Sequence, residues 1–129
     1  MTEEQKKRPA PSSTVQTRLL RAEGLALAIA AIVAYRFLAG SWGFYFSVWL
    51  VPDLAMIAYV AGPVWGARAY NTTHNLLLAI SLTALGAYVD SALWMQLGLI
   101  WVSHVGLDRA LGYGLKYPDG FHYTHFVRT

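Results

Sequence analysis

Apolar residues fall in four long runs separated by short polar breaks. A bilayer span needs roughly 20 mostly apolar residues rising about 1.5 Å each. The first run predicts a helix from Leu19 to Leu38, with Glu23 just inside its start and Arg36 near its end, placed to snorkel outward. Gly40-Ser41 then turns the chain. The second run predicts a helix from Trp42 to Ala61 that opens on Trp42, Phe44, Tyr45 and Phe46, rings suited to a membrane interface. Pro52 removes a backbone donor near its middle, which predicts a kink just before Asp53. Gly62-Pro63 ends this helix, and Pro63 to Thr73 reads as a short connection or an early helical turn. The third run predicts a helix from Thr72 to Val89. Its apolar core, from Leu76, is short for a span and calls for local thinning or tilt. Asp90 reads as a turn residue, and the fourth run predicts a helix from Ala92 to Leu107 that extends toward Leu111.

The flanks differ in character. Met1–Thr17 is polar and carries Pro9, Pro11, Ser12 and Ser13, so it has too little apolar surface to order itself. A signal peptide is the competing reading. The following run is too long for that, and no small-x-small cleavage site precedes the next helix. Beyond Gly112, the rings of Tyr113, Tyr117, Phe121, Tyr123 and Phe126 interleave with Lys116 and Arg128, a mixture suited to the headgroup layer. The expected organisation is a disordered cytoplasmic tail over 1–17, a four-helix transmembrane domain over 18–111, and an interfacial C-terminal segment over 112–129. The fold class is all-α, an up-down-up-down transmembrane bundle.

Composition agrees with this reading. The chain is 56% hydrophobic and 13% charged, against about half and about a quarter in average soluble domains. The absence of cysteine excludes disulfides, thiolate metal sites and cysteine nucleophiles. A formal charge of +3 does not point to nucleic acid, because the basic residues flank apolar runs and form no solvated face. With four spans, nine of the ten Lys and Arg fall on the side of the two termini and the Pro63–Thr73 connection, and Arg36 alone falls opposite. The positive-inside rule then places both termini in the cytoplasm of a cell membrane.

Ionisable groups within spans are rare, and are either paired or functional. Here they are Glu23, Asp53, His74, His104 and Asp108, with Arg109 beside the last. All but Asp53 map to the cytoplasmic half, and Asp53 lies at its base. His104 and Asp108 are four apart and share a helix face. Asn71, His74 and Asn75 share one if the third helix begins at Tyr70. Helical bundles build metal centres from imidazole and carboxylate at such spacings. A proton or other ligand site, and a closed hydrogen-bonded seam, are the alternatives. Glu23, His74, His104 and Asp108 are expected to converge in one cytoplasm-facing pocket, with Arg109 and His125 at its rim. That pocket offers candidate ligands for a divalent metal in Glu23, His74, His104, Asp108 and His125. The catalytic candidates are Glu23, Asp53, His104, Asp108 and Arg109. Gly24, Gly62, Gly66, Gly98 and Gly106 read as sites of close helix approach. No phosphate-binding or dinucleotide glycine motif occurs, nor does HExxH.

Several stretches resemble the bacterial family called domain of unknown function 4260. They are Leu20-Arg21-Ala22-Glu23-Gly24, Pro52-Asp53-Leu54, Gly62-Pro63 with Gly66, and Tyr70-Asn71-x-x-His74. The most specific runs from His104-x-Gly106-x-Asp108-Arg109 through Leu111-Gly112-Tyr113-Gly114-Leu115-Lys116-Tyr117 to Phe121-x-x-Thr124-His125. The resemblance implies a small four-span membrane protein and no particular activity. It marks Glu23, Asp53, Asn71, His74, His104, Asp108, Arg109 and His125. The chain ends Phe126-Val127-Arg128-Thr129, a departure from the family's Leu-Gly continuation. The expectation is a multi-pass membrane protein of open activity, partnered by the lipid bilayer. One alternative is an intramembrane metal-dependent hydrolase or oxidoreductase acting on lipid. Others are a small-solute transporter, which would need to assemble as a homo-oligomer to form a pore, and a structural membrane subunit.

Overall fold

The computed structural model describes residues 2–4 and 14–114. In order, its elements are α1 (Thr14–Phe37), α2 (Trp42–Trp49), a 3-10 segment (Val51–Ala61), α3 (Pro63–Thr73), α4 (Leu76–Tyr88) and α5 (Ala92–Leu111). The described residues form an all-α bundle. Residues 5–13 of the predicted tail lie outside the described residues, as does the part beyond Gly114 of the segment expected to be interfacial, with His125. Helix α1 begins at Thr14, ahead of the predicted Leu19.

Two predicted helices are divided in the structure. The second is α-helical only to Trp49. Pro52 has no N–H to continue the ladder, and the N–H of Asp53 donates to the Leu50 carbonyl at 3.0 Å, an i−3 bond that starts tighter 3-10 winding. Gly62 then turns the chain at φ +116, with open space where a Cβ would stand. Its glycine therefore serves backbone conformation and not the predicted close packing. Helix α3 folds back on the 3-10 segment, the Tyr59 ring filling the space over Gly66. The predicted Pro63–Thr73 connection is thus a full helix, and residues 51–73 form a helical hairpin closed at Gly62.

The third predicted helix breaks at His74-Asn75. The hydroxyls of Thr72 and Thr73 bond back to carbonyls of α3. Asn75 adopts extended backbone and caps α4, its Oδ1 accepting from the Leu77 N–H at 2.8 Å. Ser41 and Ser91 cap α2 and α5 in the same way. Asp90 turns the chain with φ 54, as expected of a turn residue. Gly112 ends α5 in the left-handed region, and the Tyr113 N–H returns to the Asp108 carbonyl at 2.8 Å.

Helix α5 is the axis of the bundle. Helix α1 lies antiparallel on it. Arg21 Nε donates to the Ala110 carbonyl at one end (2.8 Å), and Gln96 Nε2 donates to the Leu38 carbonyl at the other (3.1 Å). The crossing is close because Gly24 and Gly106 face each other. A Cβ on either would stand 2.7 Å from the other's carbonyl oxygen. Helix α4 returns along α5 with Thr83 seated on Gly98. Helix α2 joins through Tyr45, whose hydroxyl meets Ser103 Oγ at 2.8 Å. Ala31, Ala79 and Val102 form one core layer, and Tyr35, Tyr45 and Ile100 the next.

Among the described residues, one helix, Trp42–Ala61, is long and apolar enough to cross a membrane. Helix α1 carries Arg18, Arg21, Glu23 and Arg36. At 13 residues, α4 rises about 20 Å against a hydrocarbon core of about 30 Å.

Candidate metal centre

Three separate elements deliver four ligand-type side chains to one point. Asp53 stands in the first turn of the 3-10 segment, at the open end of the hairpin. His74 caps α3 at the other open end. His104 and Asp108 come one turn apart from α5. His74 Nε2 lies 3.1 Å from Asp53 Oδ1 and 3.3 Å from Asp108 Oδ2. His104 Nε2 lies 3.2 Å and 3.4 Å from the same two oxygens. The two Nε2 atoms are 3.2 Å apart. One donor atom from each residue falls within 4.8 Å of all the others.

Hydrogen bonds alone do not account for these contacts. Each Nε2 carries at most one hydrogen, so the pair completes at most two of the five short separations. The remainder set the two ring nitrogens against each other or ask one N–H to serve two carboxylate oxygens, in a site where both histidines are buried. One cation satisfies all four atoms. Five of the six separations are near 3.2 Å and the sixth, between the two carboxylate oxygens, is within 4.8 Å, so a central cation would lie roughly 2.0–2.4 Å from each donor, close to metal bonds to imidazole nitrogen and carboxylate oxygen.

The surroundings orient the imidazoles. His74 Nδ1 is 3.1 Å from the Tyr70 carbonyl and 3.0 Å from Thr73 Oγ1. Its ring stacks on Tyr70 at 3.8 Å with the planes 7° apart. An Nδ1–H donated to that carbonyl leaves the Nε2 lone pair aimed at the cluster, the usual support for a ligating histidine. His104 packs against the Trp49 ring at 4.6 Å. Its Nδ1 is buried and makes no hydrogen bond among the described residues. Arg109 Nη2 donates to the His74 carbonyl at 3.1 Å, while its Nη1 is buried without a partner among the described residues.

The two carboxylates differ in exposure. The Asp53 side chain is 40% exposed and that of Asp108 17%. His74, His104 and Asp108, on α3 and α5, are therefore the enclosed part of the donor set, and Asp53 is its exposed part.

Of the residues expected to converge, His74, His104 and Asp108 do so, with Arg109 beside them. Glu23 does not. Gly24 occupies the α1–α5 crossing, so Glu23, one step of about 100° away, is exposed on α1. Asp53, expected at the base of the cytoplasmic half and not in the pocket, takes its place in the cluster. Asn71 is half-buried on α3 outside the four, and Asn75 caps α4. The break after Thr73 removes the helix face that these two were expected to share with His74. His125 lies outside the described residues. Tyr70 was legible as the residue one turn before His74. The part played by Trp49 had no local signal.

Residues 17–129 match the family described as Domain of unknown function (DUF4260). The chain belongs to that family. No curated protein and no solved structure matches it. All four clustered residues of this DUF4260 member lie within the matched region.

Proposed function

We propose that this chain is a multi-pass membrane protein that binds one divalent transition-metal ion through Asp53, His74, His104 and Asp108. The observation that carries the reading is the convergence of two ring nitrogens on each other and on two carboxylate oxygens at 3.1 to 3.4 Å, more short contacts than one hydrogen per nitrogen satisfies singly. Two imidazoles and two carboxylates suit zinc, iron or manganese. The unpartnered apolar exterior supports the membrane setting: Ile29, Phe46, Ile57, Val60 and Leu77 are all more than half exposed. The antiparallel pairing of α1 with α5 supports a shared side for the two termini, and the basic residues at that end support its being cytoplasmic.

A catalytic role is a second reading, favoured by the exposure of Asp53. Were Asp53 to move aside, the metal would keep two histidines and one carboxylate and gain an open position. That arrangement is used by hydrolytic zinc and by non-haem iron. A metal so held would supply Lewis-acid chemistry at a carbonyl or a bound water, and Arg109 would orient an anionic oxygen.

The test is elemental analysis of protein purified in mild detergent from cells grown with zinc, manganese and iron. About one ion per chain is expected in the wild type, and a small fraction of that in Asp108→Ala. Folded wild-type protein without stoichiometric metal would leave the cluster as a hydrogen-bonded seam and overturn the proposal.

A further inference from the structure

A cavity of about 290 Å³ is lined by sequence neighbours of the clustered residues and by none of the four themselves. Its walls include Val51, Pro52, Thr73, Leu82, Leu97 and Ile100. Pro52 and Thr73 directly precede the ligands Asp53 and His74. Ile100 lies one turn before His104 on α5, and Leu97 one turn further, so the cavity runs from the cluster for about 10 Å away from the Gly112 end of the bundle. Every lining side chain but Thr73 and Trp101 is wholly apolar; the Thr73 hydroxyl is bonded back within α3 and the Trp101 indole N–H donates to the Thr73 carbonyl. Water has no set of polar partners there.

One wall is open. Val51 lines the cavity and is 51% exposed, on the helix that is long and apolar enough to cross a membrane. The opening therefore faces sideways, where a bilayer would supply hydrocarbon. A space lined in this way and open toward hydrocarbon matches an apolar chain.

From this we infer that the cavity holds the acyl chain of a membrane lipid, entering past Val51. The inference rests on the membrane reading and not on the metal. A cavity of this size is at the small end of ligand pockets, so it takes part of one chain and leaves the remainder in the bilayer.

The test uses the full chain in lipid nanodiscs, metal-loaded, with a fatty acid bearing a photo-activatable diazirine along its chain. Irradiation and peptide mass spectrometry should place adducts on the cavity walls. Leu97→Trp fills the space from α5 and Leu82→Trp fills it from α4. Each should lower cavity adducts at least fivefold while metal content stays near one per chain, and two variants on different helices guard against misfolding of either. Adducts spread over outward residues such as Ile29 and Phe46, unchanged in both variants, would overturn the inference. Wild-type protein with full metal and no cavity adducts would overturn it alone. Cavity adducts on a protein that carries no metal would support the chain site and overturn the metal reading.

Discussion

His104 is fully buried at the point where α2, α3 and α5 meet, and His104→Ala separates a metal centre from a polar seam. The substitution removes one of four ligands and leaves Asp53, Asp108 and His74 in place. Structural zinc sites carry an apparent binding free energy of about 10–16 kcal/mol, so an even division gives roughly 3 kcal/mol per ligand and an affinity about 100-fold weaker. At a metal concentration of about 100 times the wild-type Kd, binding stabilises the folded wild type by about 2.7 kcal/mol. At the same concentration the variant stands near its own Kd and gains only about 0.4 kcal/mol. Thermal unfolding in detergent, with metal and with chelator, reads this difference directly. The wild type should melt clearly higher with metal and lose the increment on chelation, and His104→Ala should melt alike in both. A seam predicts a different pattern: His104→Ala lowers the melting temperature, and neither protein responds to metal or chelator. A wild type indifferent to metal, or a variant that keeps the full metal-dependent shift, would refute the reasoning.

The remaining predictions concern the ligands, the helix crossing and the topology. Asp108→Asn should weaken metal binding more than Asp53→Asn, because the more exposed Asp53 is the more readily replaced by water; titration with a metal indicator measures both. Acid should release the metal, since protons compete for imidazole and carboxylate, and affinity should fall continuously as pH is lowered across the acidic range. Gly106→Leu should destabilise the bundle by at least about 1–3 kcal/mol. A Cβ there already meets the Gly24 carbonyl oxygen at 2.7 Å, and denaturant unfolding in mixed micelles gives the value. Reporter fusions at Ser41 and Ser91 should read the outer side and fusions at Arg68 and Thr129 the inner side; an outer reading at Thr129 would end the four-span arrangement.

The sequence by itself determined the helical character, the main breaks and three of the four clustered side chains. Apolar periodicity and turn residues act over a few positions. Gly40-Ser41, Gly62 and Asp90-Ser91 therefore announce their turns, and the i,i+4 spacing of His104 and Asp108 announces their shared face. Pro52 announced a disturbance of the second helix but not its form. Whether a freed backbone continues as α-helix or tightens to 3-10 depends on what packs beside it, here α3 with Tyr59 over Gly66. The hairpin decides the site. It carries Asp53 out of its own helix and returns with His74 21 residues later, a pairing that no local pattern specifies. Glu23 failed to join for the complementary reason. Its depth along α1 was legible, but its direction was set by the Gly24–Gly106 contact, and one residue of helical rotation separates a buried ligand from an exposed acid. Local chemistry thus named the residues with the right donors, and long-range packing chose which of them share a point in space.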